Sequence, residues 1–142
     1  VSGTALLLDT CALIWLANGD RMRPEATDAM IAAAGRNEVF LSPVSAWEVG
    51  RLSQPCASTG ALRFDPDAKT WFQRAAAGPG VRLTPLTPDI AIDAACLPGD
   101  FHADPADRLI VSTARHIGAA IVTRDRAILT YASQGYVEAL AC

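Results

Sequence analysis

Four acids in this chain stand where an apolar run or a capping signal marks the change from one element to the next. They are Asp9 after Leu6-Leu7-Leu8, Glu48 in Ser45-Ala46-Trp47-Glu48, Asp107 in Asp104-Pro105-Ala106-Asp107-Arg108, and Asp125 after Ile121-Val122-Thr123-Arg124. Carboxylates that converge repel one another, so a fold keeps them together when a cation sits between them. The cation that suits oxygen donors is a hard one, Mg²⁺ or Mn²⁺. One such ion could hold a phosphodiester oxygen, lower the pKa of a bound water and aim it in line at phosphorus. A second, about 4 Å away, would stabilise the leaving oxygen. This chemistry needs carboxylates rather than imidazoles, and the chain has only two histidines, neither in a zinc-like spacing.

Other residues near the acids could assist. Thr10, Ser45 and Thr123 neighbour three of them and could orient a carboxylate or a water. Arg108 and Arg124 could grip phosphate through two parallel hydrogen bonds, and Arg21, Arg23 and Arg51 could carry a longer strand of nucleic acid. His102, in a loop rich in Pro and Gly, could contact phosphate or a leaving group, or simply bond to the backbone. His116, near a helix end, suits the helix dipole. Singly, each acid also has an ordinary explanation. Asp9, Asp104 and Asp107 could favour helix starts, Asp125 could open a turn, and Glu48 could be a solvated helix acid. Asp104, before Pro105, is first a cap and only second a metal ligand. The ordered set favours a shared site with Asp9, Glu48, Asp107 and Asp125 as both catalytic residues and metal ligands.

The elements that must position these groups alternate. Apolar runs predict strands over Thr4–Leu8, Val39–Leu41, Val81–Leu86 and Ala119–Thr123, with a last edge strand over Tyr136–Leu140. Helices are expected from Thr10 as cap through Ala17, between Pro24 and Gly35, after Ser42-Pro43, from Asp65 or Asp67 through Ala77, from Thr87-Pro88 through Cys96, from Asp104-Pro105 to about His116, and briefly from Asp125. Residues 54–65 read as a loop. Strands alternating with helices predict an α/β fold with a mostly parallel sheet. In such sheets sites form beyond the carboxyl ends of the strands, which gives the acids a reason to meet.

The bulk composition agrees. The 142 residues suit one domain over 1–142, with 51% hydrophobic and 6% aromatic residues giving a core of small aliphatics. A net charge of −3 advertises no basic field for nucleic acid, although bound cations would reverse the local sign. Four widely spaced cysteines form no Cys-x-x-Cys pair, so zinc and redox motifs are unsupported. Cys11 and Cys96 read as small buried hydrophobes, and Trp15, Trp47 and Trp71 as core. No apolar run approaches a membrane span and no signal-peptide pattern opens the chain, so a reducing, cytoplasmic setting is expected. The first residue, Val1, suggests a processed or trimmed start.

Four segments together carry a family resemblance: Leu8-Asp9-Thr10 followed by Leu13-Ile14-Trp15, Ser45-Ala46-Trp47-Glu48-Val49, His102-Ala103-Asp104-Pro105-Ala106-Asp107-Arg108-Leu109-Ile110, and Val122-Thr123-Arg124-Asp125. In that order the chain resembles a PIN-domain protein, specifically a VapC-like toxin of a bacterial toxin–antitoxin pair. The resemblance implies a three-layer sandwich with a parallel central sheet between helices. It also implies a Mg²⁺- or Mn²⁺-dependent endoribonuclease, with Asp9, Glu48 and Asp107 as core acids and Asp125 as a more variable fourth. The implied partners are an RNA substrate, an antitoxin whose peptide segment inserts near the active site, and a second copy of the chain, often within larger assemblies. Ala106 departs from the Phe common after Asp-Pro, and Cys11 stands where other side chains are frequent. A haloacid-dehalogenase-like phosphatase would want an Asp at position 11. A receiver domain would want a Lys late in the sheet, where none stands. A structure-specific DNA nuclease, or a degenerate PIN-like module that binds without cleaving, are the remaining alternatives.

Overall fold

A computed structural model describes residues 3–55 and 61–142; Cys56 and the centre of the expected loop over 54–65 lie outside the described residues. The element order is β1 (Leu6–Leu8), α1 (Thr10–Asn18), α2 (Pro24–Gly35), β2 (Val39–Leu41), α3 (Pro43–Leu52), α4 (Ala68–Ala76), β3 (Val81–Leu83), α5 (Pro88–Ala95), α6 (Pro105–Ile117), β4 (Ala120–Thr123), α7 (Arg126–Ser133) and β5 (Glu138–Ala141). The strands form one sheet in the order β3-β2-β1-β4-β5. Every pairing is parallel, so the expected mostly parallel sheet is wholly so among the described residues.

The central strands are short and apolar on both faces. Leu6 and Leu8 pack with Leu13, Met30, Val39, Leu41, Val49 and Phe72 on one side. Leu7, between them, points the other way and packs with Ile110, Val111, Ile121, Ile128 and Tyr131. That alternation, with period two, lets three residues anchor two helix layers at once. The result is a helix–sheet–helix sandwich.

Most helix starts obey the capping chemistry of their sequence. Ser42, Asp67, Thr87, Asp104 and Asp125 each cap the following helix through a side-chain oxygen. The first helix differs from expectation: Asp9 is the cap, its carboxylate accepting from Ala12 N at 2.7 Å, and Thr10 is the first helical residue. A carboxylate accepts from the helix amides more strongly than a hydroxyl, which leaves Thr10 free to turn inward.

Three expectations about burial fail. Cys11 and Cys96 are exposed rather than buried. Cys11 lies on the open side of α1, away from the buried Ala12 and Leu13, and Cys96 lies at the frayed end of α5. Trp47 is 61% exposed, because α3 buries Val44, Ser45 and Val49 and Trp47 falls on the opposite side of that turn. The third strand also ends at Leu83, earlier than read, before Pro85 can interrupt the ladder.

Gly80 fixes the approach of β3 to the end of α2. It holds φ +76, and a Cβ there would stand 2.2 Å from the Ala34 carbonyl oxygen. Gly80→Ala is therefore expected to cost on the order of 2–4 kcal/mol, the sum of a left-handed backbone and a backbone clash. Urea unfolding of both proteins measures it; a loss under about 0.5 kcal/mol would contradict the close approach.

Candidate active site

The strand order reverses direction between β1 and β4, which are neighbours although β2 and β3 intervene in sequence. Their carboxyl ends open a crevice at this switch point. Asp9 leaves β1 and Asp125 follows β4 at the same edge. Glu48 reaches in from α3 and Asp107 from the first turn of α6. All four line one cleft of roughly 240 Å³, together with Thr10, Cys11, Trp15, Ile110 and Arg124. A larger groove of about 940 Å³ between α6, α7 and β5 contains a single acid, Glu138, and none of the residues at issue.

Hydroxyls buried behind the cleft hold two of the acids. Thr123 donates to Asp9 Oδ2, and its oxygen accepts from Asp125 N at 2.9 Å. One buried threonine thus links the two acids at the ends of β1 and β4. Thr10 Oγ1 lies 2.5 Å from Glu48 Oε1 and 3.0 Å from Ser45 Oγ. Thr10 has one proton and an ionised carboxylate can only accept, so that proton goes to Glu48 and Ser45 donates to Thr10. Ser45 and Thr123 are both fully buried, which keeps this scaffold dry.

The site is electrostatically unfavourable in the absence of a cation. Burial raises the Asp9 pKa above its ordinary value; the bonds from Thr123 and Ala12 oppose that, and the charges of Asp125 and Glu48 add to it. Burial, then the charge of Asp104, then that of Asp125 push Asp107 up to about 6, with His102 opposing and Glu48 adding. Burial first, and then the charges of Asp9, Glu48, Asp107 and Asp125, push the Cys11 thiol up to about 11. That thiol faces the same four acids.

The expected arginines are otherwise engaged. Arg108 turns away and donates to the carbonyls of Ala94 at 2.8 Å, Phe101 at 2.9 Å, His102 at 3.1 Å and Ala95 at 3.3 Å. Arg124 lines the cleft, but donates to the carbonyls of Cys142 and Arg21 and stacks 4.0 Å over the Trp15 ring. Asp104 caps α6 through Ala106 N at 3.0 Å. His116 pairs with Asp93 at 2.7 Å, far from the cleft acids in the fold. Sequence reasoning missed Cys11, Trp15 and Ile110 as cleft walls. The helical spacing offered a signal for Ile110, which lies three residues after Asp107 and so on the same side of α6.

A PIN-domain family model matches residues 6–133. The chain belongs to the PIN-domain family. It is 33% identical over 129 residues to Ribonuclease VapC22 of Mycobacterium tuberculosis, covering 90% of this chain and 92% of that one. Its fold is similar to VapBC2 from Rickettsia felis bound to a DNA fragment from their promoter, with TM-score 0.64, 12% identity, and coverage of 96% and 97% of the two chains. It is also similar to FitAcB from Neisseria gonorrhoeae, with TM-score 0.59, 21% identity, and coverage of 95% and 96%. The VapC22 match extends the PIN assignment to a ribonuclease relative, while the two solved structures speak to the fold.

All four acids offer oxygen donors, and the cleft's arginine, Arg124, donates to backbone carbonyls rather than to them, a donor set that suits Mg²⁺ or Mn²⁺. Among the described residues no three His, Cys, Asp or Glu side chains stand close enough together to hold a metal ion as placed; the four acids share the lining of the cleft. Burial of Asp107, with the nearby charges of Asp104 and Asp125 adding to it, gives a sign to stability. The folded Asp107 binds its proton more tightly than the unfolded one, whose ordinary value is 3.8. Folding is therefore penalised above about pH 6, and the penalty fades as the pH falls toward 4. Asp107→Asn should be more stable than wild type in chelator at pH 7, by on the order of 1–3 kcal/mol, with the gap closing near pH 4. Thermal unfolding across that range measures it; equal stability at pH 7 would contradict the cost assigned to this carboxylate.

Proposed function

We propose that residues 1–142 act as a single PIN domain and a metal-dependent endoribonuclease that hydrolyses RNA phosphodiester bonds. The observation that carries this reading is the meeting of Asp9, Glu48, Asp107 and Asp125 on one cleft at the switch point of the sheet. Ribonuclease activity in the VapC22 relative supports the reaction class. The proposed metal is Mg²⁺ or Mn²⁺, with Asp9, Glu48 and Asp107 as its principal ligands and Asp125 beside them. A bound ion of this kind supplies charge neutralisation at the phosphate and activation of water.

The protein's own contribution is positioning. Thr123 fixes the Asp9 carboxylate and Thr10 fixes that of Glu48. Apolar walls from Trp15 and Ile110 limit water in the cleft, where charge interactions are stronger. The proposed partners are the RNA substrate, a cognate antitoxin that blocks the cleft, and a second copy of the chain. Larger toxin–antitoxin assemblies extend the same scheme. The antitoxin follows from the VapC resemblance and from fold similarity to VapBC2 and FitAcB. No helix among the described residues is long and apolar enough to cross a membrane, and the proposed setting is the cytoplasm.

Asp9→Asn and Asp107→Asn should each lower RNA cleavage by more than about 100-fold, because loss of a direct ligand exceeds the 10- to 100-fold typical of outer contacts. Circular dichroism should report an intact fold in both. Cleavage of total cellular RNA, mapped for wild type and Asp9→Asn side by side, is the assay. Cleavage at the wild-type rate in both variants would overturn the catalytic role of these acids, and no cleavage by wild type would favour a binding module instead. Activity should also vanish in EDTA and return with Mg²⁺ or Mn²⁺; undiminished cleavage in chelator would remove the metal from the reading.

A further inference from the structure

The loop before α6 is built with more restraint than a connector needs. Gly99 holds φ +66 against the Tyr136 ring, where a Cβ would stand 2.6 Å away. Tyr136 stacks on Tyr131 at 4.8 Å, and Tyr131 packs on Phe101 at 4.9 Å while its hydroxyl donates to the Pro98 carbonyl. Arg108 then gathers the carbonyls of Phe101 and His102 on one side and those of Ala94 and Ala95 at the end of α5 on the other. A guanidinium spread over four carbonyls fixes backbone position, which is a different task from gripping phosphate.

What this restraint aims is the His102 ring. The ring stacks on Phe101 with centroids 4.3 Å apart and planes 30° apart. Its Nδ1 accepts from the backbone N–H of Asp104 at 3.2 Å. A nitrogen that accepts carries no proton, so the neutral ring bears its hydrogen on Nε2. That atom stands 3.2 Å from Asp107 Oδ2. The ring therefore sets its Nε2 edge in close polar contact with one oxygen of the carboxylate, without the alignment of a full hydrogen bond. Asp107 also lines the cleft.

We propose that His102 is a positioning residue that holds Asp107, through the Nε2···Oδ2 contact, in the orientation from which Asp107 meets a divalent cation. The inference rests on the metal-dependent reading of the cleft and adds to it a residue outside the four acids. Carboxylate ligands are commonly held by such an outer donor, and losing it weakens metal affinity by about 10- to 100-fold. Arg108 serves the same end at one remove, since it fixes the backbone that carries the ring.

Mn²⁺ binding by titration calorimetry tests this on the full chain, with wild type, His102→Ala, His102→Gln and Asp107→Asn compared. Thermal unfolding in EDTA serves as the folding control. His102→Ala should bind Mn²⁺ about 10- to 100-fold more weakly, with kcat recovering at saturating Mn²⁺. His102→Gln, which keeps a donor, should restore most of the affinity. Wild-type affinity in His102→Ala alongside loss in Asp107→Asn would overturn the role of His102 and leave the metal reading standing. Equal losses in the Ala and Gln variants would assign the effect to ring packing on Phe101 and also overturn it. A kcat that stays low at saturating Mn²⁺ would place His102 on the substrate instead. No Mn²⁺ binding by wild type would overturn the metal reading and this inference together.

Discussion

Three hydrogen bonds join Asp9, at the end of β1, to two other elements. Its backbone N–H donates to Val122 O on β4 at 3.2 Å, its Oδ1 accepts from Ala12 in α1, and its Oδ2 accepts from Thr123 at the end of β4. The same Thr123 oxygen accepts from the backbone of Asp125. These bonds close the seam between β1 and β4, the place where the strand order reverses. The position of α1 on one face, and the start of α7 on the other, both follow from that seam. One carboxylate on the cleft thus caps α1 with one oxygen and accepts from Thr123 with the other.

The arrangement has an electrostatic cost. Burial, with the neighbouring acids adding to it, raises the proton affinity of Asp9 and Asp107, and the cleft's arginine, Arg124, donates to backbone carbonyls rather than to them. Structural ion pairs elsewhere in the chain, such as Arg36 with Glu38 at 2.9 Å, are formed in the ordinary way at the surface. The contrast matters because a fold free to choose would distribute these acids likewise. Stability given up at one place is a common mark of a functional site. The restrained loop carrying His102 beside Asp107 belongs to the same economy: the molecule spends backbone restraint on aiming groups at the cleft.

Much of this was readable from the residues. The Leu6–Leu8 and Ala120–Thr123 strands announced themselves as apolar runs, and Pro24, Pro43, Pro88 and Pro105 marked helix starts where they occur. The four acids were identifiable as a set by their order on an α/β pattern, although Glu48 lies in the middle of α3 rather than at a junction. What the sequence concealed was direction. Arg108 beside Asp107 looked like a phosphate ligand, yet helix geometry turns it toward the end of α5. Trp47 looked like core because it is apolar, but its angular position on α3 faces it outward. Cys11 lay next to Thr10, and only the helix phase distinguishes an inward threonine from a thiol on the cleft wall. Pattern reveals which residues alternate; three-dimensional phase decides what each one touches.

The central claim is that the four carboxylates make one metal site. Anomalous diffraction from crystals of the protein grown with Mn²⁺ tests it most directly. A Mn²⁺ peak is expected within coordination distance of Asp9 and Asp107, with Glu48 and Asp125 bound to it directly or through water. A cleft that stays free of Mn²⁺ at saturating concentration, or an ion bound only elsewhere on the chain, would contradict it.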